Sequence, residues 1–445
     1  MKYCIAMFAV AVVESATFAA TPAIGNVQME QEDSARTTIT YELTGAPAIV
    51  TVDIQTNAAP SSPEGEWVSI GAENMKGMTG DVHRKVEVTG ADEHRTIVWH
   101  PEFYWPGSAV TAGARAVVRA WPTNSPPDWM VIDLREPFTV AWYPDAALIP
   151  EGGVTNKIYK DEYLVMRRIP AKGVVWTMGT SASDFTAAGI TARTDEPRHK
   201  VSLSDDYYIG VYPLTAIQKA RVENSEGAAE ADYPRRPLTG YKLRDMRGSS
   251  NGYAWPVYTN GDFDFEESSK VDSGSWLYKF RNRYSAYGIR ADLPTEAQWE
   301  YACRAGKGTS LNSGEAFTSA NAVKLGRCAE NATDADCEGD YTAGRCTVGS
   351  YKPNSWGLYD MHGNVMEACL DVYSDFSTLD PTQVQMDPIG AEKPAEGYAS
   401  RVFRGGFSGS SGAWHRMRAG NRQYNFSDNT TPSSTQGYRL AWTLR

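Results

Sequence analysis

Thiols are scarce in this sequence: six cysteines occur in 445 residues, no two are spaced Cys-x-x-Cys, and none follows Cys369. The missing spacing argues against a structural zinc site, whose thiolates come in close pairs. Positive charge is also short, with 43 Lys and Arg against 54 Asp and Glu and a formal net charge of −11. Without a basic stripe, a nucleic-acid partner is disfavoured. Past the first twenty residues no apolar run is long enough to span a bilayer. The histidines considered as ligands, His100, His362 and His415, lie far apart in the chain, and a single imidazole makes a weak metal site. Asp262, Asp264 and Glu266 imitate a calcium loop but lack its glycine and distal glutamate, so 260–274 is expected to be a solvated loop.

What is present begins with an export signal. Lys2 gives a basic start, 5–13 an apolar centre and 17–20 a small-residue cleavage region. Residues 1–20 are therefore expected to direct export, to the periplasm or beyond, without a membrane anchor. In an oxidising compartment the cluster Cys328, Cys337 and Cys346 is expected to hold a disulfide, and the odd count after cleavage leaves at least one thiol unpaired. From 21 to about 145 the pattern has period two. Strands are expected over 38–43, 49–56, 84–89, 95–99, 114–121 and 129–134, separated by Gly, Pro and Asn breaks. That spacing fits a β-sandwich of immunoglobulin or fibronectin type. Pro144, Pro150, Gly152 and Gly153 mark a linker over 146–165, and a second domain fills 166–445.

The densest motif of the second domain is WGLYDMHGNVMEACLDVY, 356–373, completed by RVFRGGFSGSS from Arg401 and by QGYRLAW near the end. Gly357 and Gly363 permit turns, while Asp360, Asn364 and Glu367 present oxygen ligands within one short span. Such a loop suits a hard cation such as calcium; a core turn with its acids in water is the alternative on spacing alone. LPTEAQWEYACRAG, 293–306, is a punctuated helix. Thr295 is its N-cap, Gln298 completes a capping box and Gly306 can close it. Trp299, Ala302 and Cys303 then share a core-facing side, so Cys303 and Cys369 are expected to be buried or paired rather than reactive.

These four ordered motifs resemble those of the formylglycine-generating enzyme family, also called sulfatase-modifying factors, over about 174–441. The resemblance implies a C-type-lectin-like domain of low regular secondary structure, and with the N-terminal β-sandwich read from the alternation the chain is expected to be α+β. In the family's oxidases, two cysteine thiolates after the Gly–Gly pair hold a copper(I) ion, which favours soft sulfur, and a sulfatase cysteine becomes formylglycine. Here the matching positions fall at about Trp414 and Ala419, and the last 445 − 369 = 76 residues contain no cysteine. Copper is disfavoured, and formylglycine generation stands as the alternative activity. The resemblance further implies one structural calcium at Asp360, Gly363, Val365 and Glu367, and a second at Asn321, Ala322, Asp340 and Thr342. Arg404, Arg418, Arg422 and Arg439 would hold buried carboxylates or carbonyls through guanidinium forks.

Another branch of the same fold serves only for binding, with its variable surface in the same C-terminal segment. Here 408–413 is small and Gly/Ser-rich, and Trp414, His415, Tyr424, Asn425, Asp428 and Asn429 follow it. A rigid frame carrying Ser, Gly, Asn, Tyr and Trp is how adaptable binding loops are built. The expectation is a calcium-stabilised binding module for a protein or glycan, with Trp414 as its anchor and no named oligomeric state.

Overall fold

The computed structural model describes residues 21–445 apart from 32–34, 46, 60–64, 88–93, 107–112, 226–234, 250–253, 332–343, 375, 377–378, 381, 392–399, 410–412 and 427–432. The expected export signal therefore lies outside the described residues, as do Cys337, Asp340, Thr342, Asp428 and Asn429. Helix and sheet are both present.

The N-terminal residues form two antiparallel sheets. One has the order Ala23–Gln31, Thr37–Thr44, His94–Trp99, Thr79–Gly80; the other sets Ala48–Asn57 against Ala114–Pro122, Trp67–Ser69 and Arg84–Val86. Alternation dictates the packing, since Thr37–Thr44 buries every second side chain. Ile39, Tyr41, Leu43, Val50, Val52, Ile54, Ile97 and Trp99 from both sheets share one apolar cluster.

The chain then enters a five-stranded sheet ordered Val140–Tyr143, Trp129–Asp133, Tyr163–Ile169, Tyr207–Gly210, Ala441–Thr443. Trp129–Asp133, expected to end the first module, pairs instead with Tyr163–Ile169, which begins inside the expected linker and runs into the second domain. Its first four residues are all buried, the pattern of a strand covered on both faces rather than of an alternating one. The segment 146–165 is anchored, with Ile149 and Tyr159 buried and Asn156 accepting the Ile158 N–H. Residues 260–274, expected as a loop, hold the strand Asp262–Phe263, which pairs with Tyr258–Thr259, and the short helix Phe265–Ser268, which Asp264 caps.

Helix Glu296–Arg304 has the expected capping box between Thr295 and Gln298; Ala305, in left-handed conformation, ends it before Gly306. Strand Met366–Val372, buried along its whole length, pairs with Ser400–Arg404, which in turn pairs with Gln423–Phe426. Helix and sheet meet through Trp299, Ala302, Cys303 and Cys369 in one cluster.

Candidate functional site: a donor-rich cleft over buried ion pairs

Four arginines of the C-terminal segment point into the domain, each onto a glutamate. Arg439 forks onto Glu367 at 2.7 and 2.8 Å and also donates to the carbonyls of Gly210, Val211 and Tyr359. Trp299 Nε1 donates to the same carboxylate at 2.6 Å. Arg404 and Arg304 share Glu300. Arg418 forks onto Glu196, which also accepts from Thr180 Oγ1, and Arg422 forks onto Glu296. All four glutamates are buried. A buried pair of this kind tolerates no loss of one member, because the other is left as an uncompensated charge.

Arg418 and Arg422 also form part of a polar cleft of about 380 Å³ with Arg193, His415, Arg416, Asn421, Gln423 and Tyr424. Strand pairing fixes the far wall: Gln423 lies opposite Phe403 and Tyr424 opposite Val402. Donors outnumber acceptors here. Asn421 Nδ2 and Gln423 Nε2 are buried without a hydrogen-bond partner among the described residues. Arg416 makes no ion pair among them either; its guanidinium lies 5.5 Å from the Phe407 ring centre. At the rim, burial opposes ionisation of Asp195, but hydrogen bonds from Arg193 and Tyr373 draw its carboxyl down to about 2.

Of the expected contact residues, His415 and Tyr424 line this cleft, and Tyr424 is 53% exposed with its ring on Tyr373. Asn425 follows on the same strand, opposite Arg401. Trp414 is turned the other way: half-buried, it packs on Phe317 at 5.1 Å beside Leu311, Ala322 and Met417. Ala419, the other position matching a copper ligand, is buried in the core. The free cysteines Cys303, Cys328 and Cys369 are buried, and burial pushes their thiols up, that of Cys328 to about 12. Cys346 is disulfide-bonded, and its partner lies outside the described residues. His362 is a strut: Nδ1–H donates to Met417 O, Nε2 accepts from the Asn312 N–H, and burial pushes the ring down to about 4.

The expected calcium loop is tightly wound, with Asp360, Gly363 and Asn364 all at positive φ. Asp360 is buried, accepts the Gly349 N–H at 2.6 Å and makes no ion pair among the described residues; burial pushes its carboxyl up to about 6. Arg439 and Lys160 favour its charged form only from a distance, so it is the carboxylate of the expected set still free of an ion pair among the described residues, whereas Glu367 is neutralised by Arg439. In the second expected set, Asn321 and Ala322 sit on the short helix Ser319–Ala322, and Asn321 Oδ1 accepts from Lys324 Nζ.

Residues 165–444 match the sulfatase-modifying factor enzyme 1-like domain. The chain belongs to that family. It is 30% identical over 229 residues to serine/threonine-protein kinase pkn1 of Chlamydia pneumoniae, covering 50% of this chain and 31% of that one. It is 30% identical over 213 residues to the formylglycine-generating enzyme of Streptomyces coelicolor, covering 44% of this chain and 63% of that one. The chain thus spans less than two thirds of either relative. Among solved structures, Treponema denticola variable protein 1 aligns over 63% of this chain and 95% of its own, with a TM-score of 0.41 and 21% identity. The N-terminal sheets precede the family domain.

Sequence reasoning missed Glu196, Glu296 and Glu300, took Glu367 for a calcium ligand rather than the seat of Arg439, and missed the amides Asn421 and Gln423. Glu296 and Glu300 carried a readable signal, being four residues apart on a helix that also bears core residues. Glu196 did not: its partner Arg418 is 222 positions away.

Proposed function

We propose that this is an exported, two-part protein whose family domain binds a protein or glycan without copper redox chemistry, the N-terminal sheets serving as a β-sandwich spacer. The cleft carries this proposal, with Asn421 Nδ2 and Gln423 Nε2 buried beside Arg416 and without a hydrogen-bond partner among the described residues. Unmet buried donors cost stability, and an acceptor-rich ligand would satisfy them. Sugar hydroxyls and peptide carbonyls have that chemistry. The positions matching the copper ligands hold an indole and a methyl group, neither of which binds copper(I). Export is supported by the disulfide at Cys346, a bond that persists in oxidising compartments.

A structural calcium at the Asp360 loop belongs to the same proposal; there it would supply the positive charge that Asp360 lacks and hold the loop's shape. The test of function is capture on immobilised glycan and peptide panels by the full chain, repeated with Gln423→Ala and Arg416→Ala. Selective capture lost in both variants is expected. Capture untouched by either, or aldehyde formed from a sulfatase-derived cysteine peptide with copper(I) and oxygen, overturns the proposal.

A further inference from the structure

The polar cleft is walled by charge of one sign. Arg193, Arg416, Arg418 and Arg422 line it with His415, and no aspartate or glutamate of the described residues does. The acids that answer these arginines stand behind the lining. Asp195 holds Arg193 at 2.6 Å, Glu196 holds Arg418 at 2.5 Å, and Glu296 takes Arg422. Three guanidiniums are thereby matched by three carboxylates. Arg416 is left in excess: it makes no ion pair among the described residues, and its guanidinium lies 5.5 Å from the Phe407 ring centre. A cleft lined by one sign of charge over low-dielectric protein focuses its field and gathers ions of the opposite sign. That field acts on any occupant, whichever atoms it touches, over the roughly 8–10 Å that physiological salt leaves unscreened.

The remaining walls suit a sugar better than a peptide. Peptides anchor by large apolar or aromatic side chains seated in apolar pockets. This cleft holds none: Ile190 is the one aliphatic side chain among its described lining residues, and Tyr424 the one phenol. Tyr424 is 53% exposed and is steadied by Tyr373, with ring centres 4.5 Å apart. A steadied, exposed tyrosine presents an apolar ring beside a polar tip, which matches a sugar ring with C–H faces and hydroxylated edges.

Building on the binding role proposed above, we propose that the ligand of this cleft is an acidic saccharide, a sugar whose ring carries a carboxylate or a sulfate. The oxyanion answers the excess charge at Arg416, and the ring lies against Tyr424. The test is capture of the full chain on paired oligosaccharides: uronates with their methyl esters, and sulfated sugars with their desulfated forms. Asp- and Glu-rich peptides are included alongside, and the two kinds of pair tell a carboxylate from a sulfate. The acidic member of at least one pair is expected to be held about tenfold or more tightly than its neutral partner. That preference should shrink as sodium chloride rises from about 0.05 to about 0.5 M. Arg416→Gln should cut it by about threefold or more, whereas Arg416→Lys, which keeps the charge, should retain it. If Arg416→Gln does not fold, the salt series on the unaltered chain decides. Acidic and neutral members held alike, acidic peptides held in preference to acidic sugars, or a preference untouched in folded Arg416→Gln would overturn the acidic saccharide and leave the binding role standing. Capture of nothing on the panel overturns both.

Discussion

Ile39, Leu43, Val50, Ile54 and Ile97 close the two N-terminal sheets on one another, and no carboxylate of the described residues is buried among them. The family domain instead buries Glu196, Glu296, Glu300 and Glu367, each under a guanidinium. Apolar burial is non-directional, so it fixes no single orientation for the groups it covers. Forked ion pairs are geometric: they fix where the 401–439 segment crosses the domain, and hence where Asn421 and Gln423 stand. The cost is fragility, because each fork fails if one partner is lost.

The largest effect should come from breaking a fork. Glu367→Ala would strand Arg439 in the core and is expected to cost about 3–5 kcal/mol, read by chemical or thermal unfolding of the family domain. Replacing both partners by methionine should recover most of that loss, as whole buried pairs are often neutral to exchange. A single variant costing under about 1 kcal/mol would remove the contrast between the two regions. On the apolar side, Ile97→Ala is expected to cost about 2–5 kcal/mol through the cavity it leaves. Its cost should be indifferent to pH.

Acidity distinguishes the regions further. Burial, reinforced by the neighbouring charge of Glu296, pushes Asp371 up to about 7. Its folded value lies above the ordinary aspartate value of about 4, so its contribution is complete below about pH 4 and lost as pH rises through about 7. The family domain should therefore melt lower at pH 8 than at pH 6, and Asp371→Asn should flatten that slope. An unchanged slope in the variant would assign the effect elsewhere. Calcium comes next in size. If it binds at Asp360, each tenfold excess over its dissociation constant adds about 1.4 kcal/mol, visible as a melting shift removed by chelator and absent in Asp360→Asn.

Much of this was legible where the signal is local. The capping box of Thr295 and Gln298, the alternation of Thr37–Thr44 and the core face of Trp299, Ala302 and Cys303 are set by neighbours within a few residues. The arginines were legible as buried forks because motif resemblance placed them, whereas their acids, scattered from Glu196 to Glu367, were not. Trp129–Asp133 was legible as a strand, but its sheet depends on Tyr163–Ile169 beyond a Pro- and Gly-rich stretch, and local pattern carries no pairing. Trp414 was expected to stand out as a contact and instead packs on Phe317, a partner nearly a hundred residues earlier. The donor cleft could not be read at all, since an unsatisfied amide is a property of its surroundings.

The smallest stability effect should fall on that cleft and be the most telling. Removing one member of a satisfied pair leaves an orphan, which is why Glu367→Ala is costly. Gln423 Nε2 has no partner among the described residues already, so Gln423→Leu removes an unmet donor and breaks no hydrogen bond of that atom with them. The substitution is expected to be neutral or to stabilise by up to about 1 kcal/mol, while ligand capture falls. Unfolding and capture measured on the same preparation decide the matter. A loss of stability comparable to that of Glu367→Ala would make Gln423 part of the frame, and the cleft would lose its claim to be held open for a ligand. A gain in stability with capture lost would mean that the fold keeps this donor at its own expense, for something that comes from outside.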